Sequence, residues 1–108
     1  MLSFRPEQVE FLGAAAATQF VGRLLGFIRA ELQEYAAGFD EAALEAFVVD
    51  QNSVARRYRI NTESGLASFV CLSLLAGQSI DKVPAIRKGL LASGDPELFV
   101  ELLLNATT

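Results

Sequence analysis

Apolar residues recur along this chain at steps of three and four, and no alternation of period two lasts long enough to make a strand. That spacing predicts helices throughout. The first is expected to start near Pro6, where a missing N–H is harmless, and to run to about Ala36, with Gly38 as its stop. Val9, Leu12, Ala16, Phe20, Leu24, Phe27, Ile28 and Leu32 form its inward stripe. Such a length predicts a bend, near Gly22 or Gly26.

Asp40 is an N-cap for a second helix whose inner face is Leu44, Phe47, Val48, Val54 or Ala55, and Tyr58. It ends in Arg56, Arg57 and Arg59, the sign of charge that a helix carboxyl end favours. Asn61 or Thr62 caps a third helix, a nearly unbroken apolar run to Gly77 with Leu66, Phe69, Val70 and Leu74 inward. A short fourth helix begins around Lys82 to Pro84 and closes at Gly94. Asp95, Pro96 and Glu97 supply an N-cap, a proline at the first helical position and an acid in the first turn of a fifth, which runs to about Asn105. With no linker, repeat or low-complexity tract, residues 1–108 read as a single all-α domain. The expected architecture is a bundle of about five helices with a long first one.

Composition supports a packed core: 52% of the residues are hydrophobic and 20% charged. The net charge of −4 offers no global field to nucleic acid or an anionic membrane. "MLSFRPEQ" does not read as a secretory leader. The most apolar stretch, Leu66 to Ala76, is far short of the roughly 20 residues a membrane span needs. A cytoplasmic location follows as the expectation. The single cysteine, Cys71, sits inside an apolar run and reads as a small buried hydrophobe.

Most chemistry is missing its residues. Without histidine there is no Ser-His or Cys-His arrangement, and with one cysteine no zinc site of the usual kind, so no metal or cofactor is expected. Glu31 with Glu34 and Glu41 with Glu45 read as solvated pairs. "SIDK", Ser79 to Lys82, fits a serine–lysine spacing, but its companion motifs are missing; Ser79 or Asp81 reads as a helix cap. No phosphate-cradling glycine loop occurs. The expectation is a protein that is not an enzyme.

Apolar surface is what the sequence has in excess. Leu98, Phe99, Val100, Leu102, Leu103 and Leu104 cover most of the circumference of the last helix, and Phe11, Val21 and Leu25 lie on the back of the first. A small domain offers a terminal helix only one side, which predicts that another chain covers part of this surface. Along the first helix Ala14, Thr18, Gly22, Gly26 and Ala30 recur every fourth residue, an inclined groove for close helix packing, expected to be filled by the third helix. Arg56, Arg57 and Arg59 make a positive spot on an acidic chain; dipole complementarity accounts for them, and a grip on an acidic partner is the functional alternative.

"RPEQVEFLGAAAATQFVGRLLGFIR", "ARRYRINTESGLASFVCLSLLAG" and "SIDKVPAIRKGLLAS" together resemble a family of small bacterial helical proteins encoded beside type VI secretion spike proteins and their effectors. The resemblance rests on Phe20 and Arg23, on Tyr58, Ile60, Thr62 and Glu63, on Phe69 and Leu72, and on Gly77, Asp81 and Pro84. It departs from the pattern at Arg59, where glycine is expected, at Ser64-Gly65, where an acidic pair is expected, and in lacking a tryptophan after Pro84. It implies a role beside an effector, as adaptor, chaperone-like loading factor or immunity-type inhibitor, and no catalytic residue.

The sequence thus predicts a protein-binding module that masks or delivers an effector or spike protein by burying apolar helix surface. The arginine turn would add orientation, and Phe11, Val21, Leu25, Arg56, Arg57, Arg59, Phe99 and Leu103 would make the contacts. A self-associating homodimer and a carrier of a small apolar ligand are the alternatives. The acidic balance disfavours a nucleic-acid partner.

Overall fold

The computed structural model describes residues 14–107, with side chains from Gln19 onward. Within them the order is α1 (Ala14–Glu31), α2 (Gln33–Ala36), α3 (Glu41–Arg57), α4 (Glu63–Ala76), a 3-10 turn (Ile80–Lys82), α5 (Pro84–Ala92) and α6 (Pro96–Thr107), with no strand among the described residues. The fold is all-α, as the spacing predicts. The start expected near Pro6, and the stripe residues Val9, Leu12 and Ala16, lie outside what is described.

α4 is the centre. Every residue from Gly65 to Leu74 is buried, so this helix is enclosed on all sides, chiefly by α6 and α3. Leu66, Phe69 and Val70 are among the most buried side chains. Its limits follow from its caps. Thr62 Oγ1 accepts from Gly65 N at 3.1 Å, and Gly77 takes the left-handed conformation at φ 74°. Beyond it Ser73 Oγ accepts from Ile80 N at 3.1 Å, which folds the 3-10 turn back against α4.

The first helix breaks, but not at a glycine. Leu32 leaves helical geometry at φ −127°, ψ 30°, so α1 ends at Glu31 and α2 continues as one turn. Gly22 and Gly26 stay inside regular α1. Past the break, Ala36 enters the core, and Leu32 and Phe39 pack against it. Phe39 then meets Phe47 of α3, ring centroids 5.4 Å apart. Asp40 Oδ1 accepts from Ala43 N at 2.7 Å and starts α3.

α6 is held to the beginning of α4 by its own acids. Glu97 Oε1 accepts from Asn61 N at 2.9 Å and Thr62 N at 3.3 Å, and Glu101 Oε1 accepts from Ser64 Oγ at 2.7 Å. Sequence alone assigns Glu97 to the helix dipole; the fold uses it to close a turn 35 and 36 residues away. A Cβ on Gly65 would come 2.8 Å from Ile60 Cγ2 and 3.2 Å from Glu97 Cγ, so only glycine permits this approach. Asp95 Oδ1 accepts from Leu98 N at 3.1 Å, the expected cap.

Candidate docking surface

The arginine turn is built by a helix ending. Ile60 N donates to Ala55 O at 3.2 Å while Tyr58 N donates to the same carbonyl at 2.9 Å, and Ile60 is fully buried. This is the hydrophobic-anchored closure of α3, and it demands a left-handed residue between them. That residue is Arg59, at φ 66°, the one non-glycine residue with positive φ among those described. A side chain there costs about 1–2 kcal/mol relative to right-handed backbone. The position is one where glycine fits best, which is the physical content of the glycine expected there.

Tyr58 links this turn to α5. Its hydroxyl donates to Asp81 Oδ2 at 3.2 Å, its ring stacks on Phe69 with centroids 6.5 Å apart, and Ser79 Oγ donates to Asp81 Oδ1 at 2.5 Å. Burial raises the Tyr58 pKa, and Asp81 raises it further by its charge and by accepting the hydrogen bond. The guanidinium groups of Arg87 and Arg57 act on the same hydroxyl in the opposite sense. Arg57 of α3 and Arg87 of α5 therefore flank one tyrosine, although 30 positions separate them in the chain.

Beside this clasp an open groove of about 640 Å³ is lined by Asp81, Lys82, Pro84, Arg87, Lys88, Leu91 and Ala92. Leu91 is 65% exposed. Arg23 pairs with Glu63 and Arg29 with Glu41. Arg56, Arg57, Arg59, Lys82, Arg87 and Lys88 are all exposed and form no ion pair among the described residues. The unpaired cations thus fall at the α3 end and along α5. Glu31, Glu34, Glu41 and Glu45 are exposed around α2 and the start of α3.

Several residues expected at an interface lie elsewhere. Leu25 is 5% exposed and belongs to the core, and Val21 is half-buried and packs against it. Phe11 lies outside the described residues. Phe99 and Leu103 also pack on the core, and the Phe99 ring fills the space a Cβ on Gly89 of α5 would take. What remains open on α6 is Leu98, 50% exposed, and Leu102, 58% exposed, one helical turn apart. The chain covers most of its last helix and leaves a two-leucine ridge.

The small-residue groove is not filled by α4. A Cβ on Gly22 or Gly26 would meet nothing within 4 Å, and Ala30 is exposed. Ala14 and Thr18 lie in the part of α1 whose side chains are not described. The inward side of α1 is its large side chains, Phe20, Leu24 and Ile28, which hold α4 and α3 away from the stripe.

The serine–lysine spacing also resolves. Ser79 is buried and its hydroxyl donates a hydrogen bond to Asp81, while Lys82 is exposed in the groove. Neither Ser79 nor Asp81 caps a helix: the 3-10 turn and α5 both start without a side-chain cap bond. Burial pushes the Cys71 thiol up to about 12, far from a reactive thiolate. Among the described residues no group of three or more metal-ligating side chains converges, and no helix is long and apolar enough to cross a membrane.

Lys82, Arg87, Lys88 and Leu91 escape sequence reasoning because their partnership with the arginine turn depends on one long-range hydrogen bond, Tyr58 to Asp81. Leu98 and Leu102 differ from Phe99 and Leu103 only in which way α6 is rotated. Comparison with family models, curated proteins and solved structures finds no match to the chain.

Proposed function

We propose that this chain is a non-enzymatic protein-binding module that recognises an acidic partner through the cationic face at the end of α3 and along α5. The observation that carries this is the segregation of charge: in a protein of net charge −4, Arg56, Arg57, Arg59, Lys82, Arg87 and Lys88 form no ion pair among the described residues and lie at the end of α3, in the 3-10 turn and along α5. Such an arrangement steers an oppositely charged surface and fixes its orientation. The Leu98–Leu102 ridge adds a small apolar contact.

Following the sequence resemblance, the partner proposed is a type VI secretion effector or spike protein, with this chain as its adaptor, chaperone or immunity-type inhibitor. Co-expression with the effector or spike protein encoded beside it, followed by size-exclusion chromatography with light scattering, tests the reading. A stoichiometric complex is expected. A chain that stays separate, or that forms only a homodimer, contradicts it.

A further inference from the structure

We infer that the groove between the 3-10 turn and α5 takes an acidic segment of the partner that also carries large apolar side chains. In this arrangement its carboxylates lie against Lys82, Arg87 and Lys88, and an apolar side chain sits on Leu91. The inference rests on the protein-binding reading above and names the chemistry of what enters the site.

Three features select that occupant. The first is sign: Lys82, Arg87 and Lys88 line the groove, and its one acid, Asp81, already accepts from the Tyr58 and Ser79 hydroxyls. Two charge-assisted bonds spread the Asp81 charge and leave the cations to dominate. The second is the floor. Pro84, Leu91 and Ala92 are apolar, and Leu91 is the most exposed large hydrophobic residue described. A ligand recognised by charge alone, such as a nucleic-acid backbone, would bring nothing to cover it.

The third is scale. At about 640 Å³ the groove accommodates a few residues of peptide rather than an extended polyanion. Glu31, Glu34, Glu41 and Glu45 elsewhere on the surface repel anything long and uniformly negative. A short acidic and apolar segment satisfies both the cations and the leucine. Arg57, at the end of α3, acts on the same Tyr58 hydroxyl as Arg87 and adds positive charge beside the groove.

The test uses the whole chain and a fluorescein-labelled synthetic peptide of about twelve residues, with glutamates at i and i+4 and leucines between. Its glutamine analogue, an oligoglutamate without leucine and a single-stranded oligonucleotide of equal charge serve as comparators. Anisotropy should show saturable binding of the acidic leucine peptide, weakened about tenfold or more by Arg87→Ala with Lys88→Ala, and weakened by salt. The pair Gln33→Glu and Ala42→Glu, which changes net charge equally at the α2–α3 end, should leave binding within about twofold. Circular dichroism checks that each variant folds.

The inference is overturned if the leucine peptide does not bind, if oligoglutamate or the oligonucleotide binds as tightly, or if the distal pair weakens binding as much as the groove pair. A co-expressed complex that survives Arg87→Ala with Lys88→Ala unchanged would overturn the groove's role while leaving the protein-binding reading intact. Absence of any complex would remove the reading itself.

Discussion

Arg23 of α1 donates to Glu63 Oε1, 2.5 Å away, at the first residue of α4. Glu63 is 5% exposed and its other oxygen has no hydrogen-bond partner among the described residues, so the carboxylate depends on this one cation. Removing the arginine leaves a buried charge unpaired. Arg23→Ala is expected to cost about 1–3 kcal/mol, at the lower end of what buried pairs show because the arginine side chain is 40% exposed. Glu63→Gln in the Arg23→Ala background should recover part of that loss in urea denaturation.

Glycine positions on two helices should respond in opposite directions. Helix propensity alone predicts that Gly→Ala stabilises a helix interior by about 0.5–1 kcal/mol. Gly22→Ala and Gly26→Ala, where a Cβ meets nothing, should follow it. Gly89→Ala drives a methyl into the Phe99 ring and should destabilise instead, by about 1–3 kcal/mol. Thermal melts of the three variants decide the matter.

Three leucines on α6 offer the same contrast. Leu103 packs on the core and Leu98 and Leu102 do not. Leu103→Asp should therefore cost about 3 kcal/mol or more and abolish cooperative unfolding. Leu98→Asp and Leu102→Asp should change stability by no more than about 0.5 kcal/mol, measured by chemical denaturation.

Arg59→Gly should stabilise the protein by about 1 kcal/mol, because glycine adopts φ 66° without the steric cost that arginine bears. The same change removes a cation from the proposed docking face, and on that proposal it should weaken partner binding. Stability and affinity moving in opposite directions is the signature to look for; parallel losses would mean that Arg59 holds the turn.

Alkaline pH should destabilise the fold through Cys71. Its pKa, near 9 in an exposed thiol, is raised to about 12 by burial, so the unfolded chain releases the proton first. This contribution is fully present below about pH 9 and is lost at about 1.4 kcal/mol per pH unit above it. Tyr58, also raised, acts in the same direction from about pH 10. The urea midpoint of the wild type should fall more steeply between pH 8 and about pH 10.5 than that of Cys71→Ala. Equal slopes would contradict the burial of the thiol.

Local signals were readable where one residue suffices. Asp40, Thr62 and Asp95 cap the helices they precede, Gly77 closes α4, and Pro84 and Pro96 open α5 and α6. Orientation was not readable. α6 is apolar over most of its circumference, so nothing in its own residues distinguishes Phe99 from Leu98. That choice is made by Glu97 reaching the turn before α4, by Glu101 reaching Ser64 in its first turn and by Gly89 admitting Phe99. The break at Leu32 likewise falls at a residue that is no helix breaker, so the local sequence does not mark it. The proposed docking face lies partly in view: the arginine turn is visible in sequence, and its link to the 3-10 turn before α5 is the Tyr58–Asp81 bond.

Amide hydrogen exchange on the chain, free and bound to its co-expressed partner, bears most directly on the cationic face as the docking surface. Exchange should slow on binding at residues 56–59 and 82–92, with smaller changes in α1 and α2. Slowing confined to α1 and α2, with α5 unaffected, would place the interface on the small-residue stripe and contradict the account.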